Sequence, residues 1–231
     1  MGAERGDGGA IEVRLLGRLD VRMAGQAVLI GSEKQRAVLA LLALNAGRVV
    51  GGDTLCDLLW AKDPPAAPVA TLQSLVSRLR RTLGRDLLRT ADPGWVLDVD
   101  PASVDALRFE ALVARARLRG GRGETDSAAD DLAEAVGLWR GPALADLVDA
   151  GYLASQATRL DEARGDAVED LAEAELRIGR TAEALVRLET HVDADPLRER
   201  AWGLLMVALY RFGRQAAALR AYQQARSFLR D

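Results

Sequence analysis

Five aliphatic residues in the stretch 68–83 constrain the fold more than any other feature of the chain. Leu72, Leu75, Val76, Leu79 and Leu83 fall within about a 100° arc when wound at roughly 3.6 residues per turn, so the stretch is an amphipathic helix with one face committed to a core. Pro68 suits the first turn of that helix, and Pro64-Pro65 interrupts whatever precedes it. The opposite side carries Ala70, Ser74, Ser77 and Arg81, edged by Thr71 and Arg78 on one flank and by Gln73 and Arg80 on the other. It contains no acid. A helix face kept polar only for solvation mixes both signs of charge, whereas small hydroxyls among arginines fit close approach to a polyanion. Two β-like runs follow, 87–90 and 95–99, with Pro93-Gly94 as the turn between them, and a hairpin directly after such a helix reads as a wing.

The residues upstream complete the same architecture. Three short β-like runs, 11–16, 19–23 and 26–30, are punctuated by Gly17 and by Ala24-Gly25. Ser32 and Gln35 have the spacing of a capping box, and the apolar run behind them predicts a core helix ending near Asn45-Ala46-Gly47. A shorter helix fits 53–60, with Asp53 as its cap. Residues 11–101 are thus expected to form a winged helix-turn-helix domain. Residues 1–10 are rich in glycine and poor in apolar side chains, and are expected to be a disordered leader.

Beyond Pro101 the pattern becomes helical throughout, with expected helices at 104–119, 125–139, 153–178, 181–192, 197–212 and 215–229. Gly179-Arg180 recurs as Gly213-Arg214, each pair followed by an alanine-rich helix, and the 34-residue separation is the tetratricopeptide period. Residues 102–231 are expected to be an all-α, tetratricopeptide-like domain. The fold class is therefore mainly α with small β, in two domains, as 231 residues with 4% aromatic content allow.

Net charge is -3, yet it is unevenly spread. Residues 1–100 hold 13 basic against 12 acidic side chains, and 101–231 hold 18 against 22. Between Ala66 and Ala91 there are five arginines, Arg78, Arg80, Arg81, Arg85 and Arg89, and one acid, Asp86. That cluster is the footprint expected of a nucleic-acid contact. Several chemistries are excluded by composition. One cysteine and one histidine make neither a disulfide nor a His/Cys metal cluster, and the two lysines, Lys34 and Lys62, follow no phosphate-binding glycine loop. His191 is read as a surface histidine and Cys56 as a packing residue. The neighbouring carboxylates Asp130-Asp131, Asp161-Glu162 and Glu169-Asp170 diverge by about 100° on a helix and read as solvated faces. Trp139, Trp202, Tyr210, Phe212, Tyr222 and Phe228 read as helix-packing anchors. The expectation is a cytoplasmic, non-enzymatic protein with no cofactor and no bilayer span.

On the basic helix, Ser74 and Arg78 are expected to touch base edges, Arg78 having the fork that suits guanine O6 and N7. Thr71, Ser77, Arg80 and Arg81, with Gln73 beside them, are expected to hold mainly phosphates, while Arg89 and Thr90 serve the wing.

Several stretches resemble one regulator family. The run from Thr71 to Gly84 resembles the recognition helix, in a winged helix of the OmpR/PhoB type, of the Streptomyces antibiotic regulatory proteins and the related AfsR-like regulators. Pro93-Gly94-Trp95-Val96 is similar to their wing, with Trp95 and Val96 where Tyr and Arg are usual. Leu138-Trp139-Arg140-Gly141-Pro142 and Pro196-Leu197-Arg198-Glu199-Arg200 resemble signatures of the bacterial transcriptional activation domain. The resemblance implies an activator of secondary-metabolite genes that binds direct repeats near a promoter's -35 region. It also implies a dimer on double-stranded DNA and recruitment of RNA polymerase holoenzyme through its σ factor. A competing expectation is a tetratricopeptide-type interaction adaptor whose first domain is only a support.

Overall fold

A computed structural model of the protein describes residues 11–60, 63–147 and 151–229. The expected leader, 1–10, lies outside them. The chain forms two compact units, one comprising residues up to Phe109 together with Leu138–Asp161, the other Glu110–Gly137 together with Glu162–Asp231.

The first unit opens with an antiparallel sheet of β1 (Ile11–Arg14), β2 (Asp20–Met23) and β3 (Gln26–Ala27), in that order. β3 stops earlier than the sequence pattern suggests, leaving Leu29 in solvent. Helix α1 (Glu33–Ala43) begins at the expected capping box: the Ser32 hydroxyl accepts from the Gln35 amide at 3.3 Å, and the Ser32 amide donates to Gln35 Oε1 at 2.9 Å. Residues 37–43 are all buried, which makes α1 the spine of the unit. Helix α2 (Gly52–Trp60) follows, its Leu59 carbonyl accepting from Lys34 Nζ at 3.1 Å, and helix α3 (Pro68–Leu83) crosses both. A second sheet, in the order β4-β6-β5, is formed by β4 (Val50–Gly51), β5 (Leu88–Ala91) and β6 (Gly94–Leu97). The hairpin was legible in sequence; β4, two residues long, was not.

A segment distant in sequence closes this unit. Buried Asp105 accepts the amides of Leu15 and Leu16 at 2.6 and 3.1 Å, and Arg140 NH2 lies 3.7 Å from it. The amides of Arg140, Leu144 and Ala145 donate to the carbonyls of Leu16, Leu15 and Gly17, and the Asp146 carboxylate accepts from the Leu19 amide. Trp139 meets Phe109 edge-on, with centroids 5.4 Å apart. The loop between β1 and β2 is thus satisfied by 140–146, which the sequence assigns to the second domain. Trp139 is an anchor, but it stands beyond a helix end and packs within the first unit.

The remaining helices are α4 (Asp105–Gly121), α5 (Thr125–Gly137), α6 (Tyr152–Arg177), α7 (Thr181–Ala194), α8 (Glu199–Arg211) and α9 (Gln215–Phe228). They pair as three hairpins with one turn. Gly123, Gly179 and Gly213 have φ near +80°, at 81°, 83° and 79°, and the amide of the following residue reaches back five residues, from Glu124 to Arg119, Arg180 to Glu175 and Arg214 to Leu209. A left-handed residue closing a helix in this way favours glycine, because a Cβ would crowd the backbone there. A core of the second unit joins Leu176, Leu185, Leu188, Trp202, Leu205 and Leu209 to the small Ala221 and Ala225 of α9.

Three sequence expectations are corrected here. His191 is half-buried, not superficial: its side chain is 13% exposed and Nε2 lies 3.6 Å from Glu169 Oε1. The carboxylates are not simply solvated. Asp131 is buried and accepts two bonds from Arg115 and one from Arg119, Asp161 accepts the Ala143 amide, and Glu169 binds Arg198 Nε at 2.5 Å. Of the aromatic anchors, Trp202 is buried and stacks on Phe228 at 6.1 Å, whereas Tyr210, Phe212 and Tyr222 are more than half exposed.

Candidate nucleic-acid interface

The interface candidate is built by α3 and the β5–β6 wing. The arc of α3 that was expected to face inward does so: Leu72, Leu75, Val76, Leu79 and Leu83 are buried against α1, α2 and β5. Gln73, Ser74, Ser77, Arg78 and Arg81 consequently emerge on the outer side as exposed residues, with Thr71 and Arg80 half-buried at its edges. The Thr71 hydroxyl donates back to the Ala67 carbonyl at 2.9 Å, which closes the first turn where Ala67 supplies no side-chain cap. Arg78 and Arg81 have no ion-pair partner among the described residues, so their guanidinium groups remain available to an anion.

Arg80 is placed differently from its neighbours. Its Nε donates to the Leu88 carbonyl at 2.7 Å and its NH2 to Thr90 Oγ1 at 2.6 Å. The side chain therefore ties the recognition helix to the first strand of the wing. Two donors of one planar group fixed at two points leave little rotational freedom, so Arg80 sets the distance between α3 and the hairpin. Nothing in the local sequence signals this link, since it joins residues eight and ten apart across a turn.

The wing is anchored from beneath. β6 pairs with β5 along Leu88–Leu97, Arg89–Val96, Thr90–Trp95 and Ala91–Gly94, and with β4 through Val50–Trp95 and Gly51–Gly94. Gly94 is required at that contact, because a Cβ there would overlap the Val50 carbonyl oxygen. Trp95 and Val96 are buried, so neither side chain is offered at the surface of the wing. The charged contribution of the wing comes instead from exposed Arg89, paired with Asp98 at 2.8 Å, and from Thr90. A surface pair of this kind, with both side chains at least half exposed, exchanges readily for another anion.

Elsewhere the titratable groups describe structure. Burial pushes the Asp105 carboxyl up, against the pull of the Leu15 and Leu16 amides and Arg140. Hydrogen bonds from Arg115 hold Asp131 down, and those from Arg200 do the same for Glu173. Burial lowers His191, with the Glu169 carboxylate opposing it. The Cys56 thiol is pushed up by burial and by the carboxylates of Asp53 and Asp57, which disfavours the nucleophilic thiolate. Among the described residues, no group of three or more His, Cys, Asp or Glu side chains is arranged to hold a metal ion, and no helix is long and apolar enough to cross a membrane.

A helix packed by one apolar arc against α1, α2 and β5, with an arginine-bearing outer face and a hairpin wing, defines a winged-helix DNA-binding regulator, and here it is followed by a helical-hairpin domain. Comparison with known proteins makes the class more particular. Residues 25–96 match the family described as "Transcriptional regulatory protein, C terminal", and 104–231 match "Bacterial transcriptional activator domain". The chain is 36% identical over 230 residues to regulatory protein DnrI of Streptomyces peucetius, covering 95% of this chain and 85% of that one. It is also 36% identical over 222 residues to regulatory protein AfsR of Streptomyces griseus, but spans 23% of that protein's length. A solved structure of Mycobacterium tuberculosis EmbR in complex with a low affinity phosphopeptide superposes with a TM-score of 0.89 at 36% identity, over 96% of this chain and 60% of that one. The chain belongs to the Streptomyces antibiotic regulatory protein family of transcriptional regulators. The activator-domain match begins at residue 104, although residues 105, 109 and 138–161 belong to the first compact unit.

Proposed function

We propose that the protein activates transcription by laying α3 in the major groove of promoter DNA and recruiting RNA polymerase holoenzyme through its σ factor. The observation that carries this reading is the acid-free outer face of α3, on which Ser74, Ser77, Arg78 and Arg81 are exposed side by side. Ser74 and Arg78 touch base edges; Thr71, Gln73, Ser77 and Arg81 hold the flanking phosphates. Arg80 acts chiefly by holding the wing at its working distance, so that Arg89 and Thr90 reach the backbone next to the groove. Arg89 then exchanges Asp98 for a phosphate.

The protein binds direct repeats as a side-by-side dimer near the -35 region, and the genes it controls serve secondary metabolism. These points rest on likeness to relatives such as DnrI and AfsR. Footprinting on the promoter beside its own gene, with and without polymerase, tests site and recruitment together. The expected result is two protected half-sites about one helical turn, or a multiple of it, apart on the same strand orientation, with polymerase protection extended by the protein. Protection without any effect on polymerase would remove the recruitment step, and no protection at all would remove the promoter assignment.

A further inference from the structure

The first helical hairpin lacks a core side chain that the second one has. Three residues ahead of the turn glycines Gly179 and Gly123, Leu176 occupies the last turn of α6 and Gly120 the same place on α4. Leu176 is buried in one core with Ala184 and Leu188. Their counterparts after the first turn are Ala128 and Leu132, both buried, and Gly120 gives them no leucine to pack on. A cavity of about 200 Å³ lies there within the second unit, bounded by Gly120 and floored by Ala116, Ala128, Leu132 and Ala174. Gly120 is helical, and a Cβ built on it meets nothing within 4 Å. No neighbour therefore requires glycine at this position, where glycine is unfavourable to the helix.

The rim of the cavity is charged, with guanidinium in excess. Asp170 and Glu173 of α6 line it, and Arg200 of α8 donates to both, at 2.6 Å each. Glu169, 3.6 Å from Arg200, is already held by Arg198. Arg117 of α4 and Arg177 of α6 line the same cavity and make only exposed second contacts to the two rim carboxylates. Arg117 lies 3.5 Å from Asp170 and is 61% exposed; Arg177 pairs with Glu173 one turn away on its own helix and is 63% exposed. Three guanidinium groups thus share two carboxylates, and exposed pairs of this kind exchange readily for another anion. We propose that the cavity binds a small organic acid, whose apolar body takes the place of the missing leucine and whose carboxylate sits between Arg117 and Arg177. Charge selects the occupant, since an amine of the same shape meets the excess guanidinium. The volume falls below the roughly 300–1,000 Å³ of sites for drug-sized ligands, which limits the occupant to about a dozen heavy atoms. The proposal does not rest on duplex binding by α3.

Titration of the full chain with 4-phenylbutyrate, 4-phenylbutanamide and 4-phenylbutylamine, followed by calorimetry and by amide shifts in NMR spectra, tests site and charge together. Saturable binding of the carboxylate is expected, about tenfold or more tighter than that of the amide or the amine, with shifts concentrated in 116–132 and 170–177. Gly120→Leu should abolish it by filling the cavity. That variant also replaces a helical glycine in open space, so its melting temperature should rise rather than fall. Arg117→Gln with Arg177→Gln leaves the apolar floor intact and should reduce the carboxylate to the affinity of the amide. No saturation by the carboxylate at about 10 mM, the weak limit for so small a ligand, would overturn the proposal. So would equal binding of the three compounds, or binding that survives Gly120→Leu in a folded variant.

Discussion

Single side chains decide whether the two units hold their shape. Asp105 satisfies two buried amides, and Asp105→Ala leaves both without a partner, at a cost of about 1–3 kcal/mol after partial relaxation. Because burial raises this carboxyl, its favourable contribution is complete below the unfolded value of 3.8 and is lost as pH rises through the higher folded value. The destabilisation read from urea unfolding should therefore be larger at pH 4 than at pH 7. His191 has the opposite sign. Burial lowers it from 6.5, so the unfolded chain takes up its proton first as pH falls, and stability present above 6.5 declines below it. His191→Asn should flatten the loss of melting temperature between pH 7.5 and 5.5; an unchanged slope would assign that loss to other groups. The sequence misplaced this histidine because the residues that enclose it are not its neighbours. Glu169 lies on α6 and Arg198 ahead of α8, and Gly165 leaves the space that the Arg198 guanidinium fills. Inspecting carboxylates one apart hid the pattern that matters on a helix: Glu162, Asp166 and Glu169, at i, i+4 and i+7, converge on Arg198.

Elements were far more legible than contacts between them. The apolar arc of α3 predicted its span, burial and outer face, because one helix's periodicity needs no partner to be read. The capping box fixed the start of α1 for the same reason. β4 escaped, since a two-residue strand exists only through its pairing with β6. The Arg80 bridge escaped too, since it joins side chain to strand across a turn. Arg80→Ala should release the wing, seen as faster amide exchange in 88–91 with α3 protected as before, and should weaken duplex binding even though the side chain is committed to Leu88 and Thr90. Thr90→Val, which removes one of the two acceptors, should give a smaller effect of the same kind. Equal exchange in wild type and Arg80→Ala would mean that β4–β6 pairing alone positions the hairpin. The repeat was half visible: Gly179 and Gly213 announced two hairpins, while Gly123 was hidden because the segment 138–151 separates the first hairpin from the second.

At the scale of the molecule, a DNA-binding unit is completed by residues from beyond its own family segment. A fragment ending at residue 101 lacks Asp105, Phe109, Trp139 and the 140–146 strap, so it should unfold less cooperatively and at lower denaturant than one ending at residue 161. Identical midpoints would show that the strap is dispensable. If the outer face of α3 reads and grips a duplex, a salt titration of binding to the promoter site and to unrelated DNA separates its side chains. Arg78→Ala should lose about 1–3 kcal/mol on the promoter site with little change on unrelated DNA. Arg81→Ala should weaken binding to both, with the slope of log affinity against log salt shallower by about 0.9. Wild-type affinities and slopes retained by both variants would remove α3 from the interface.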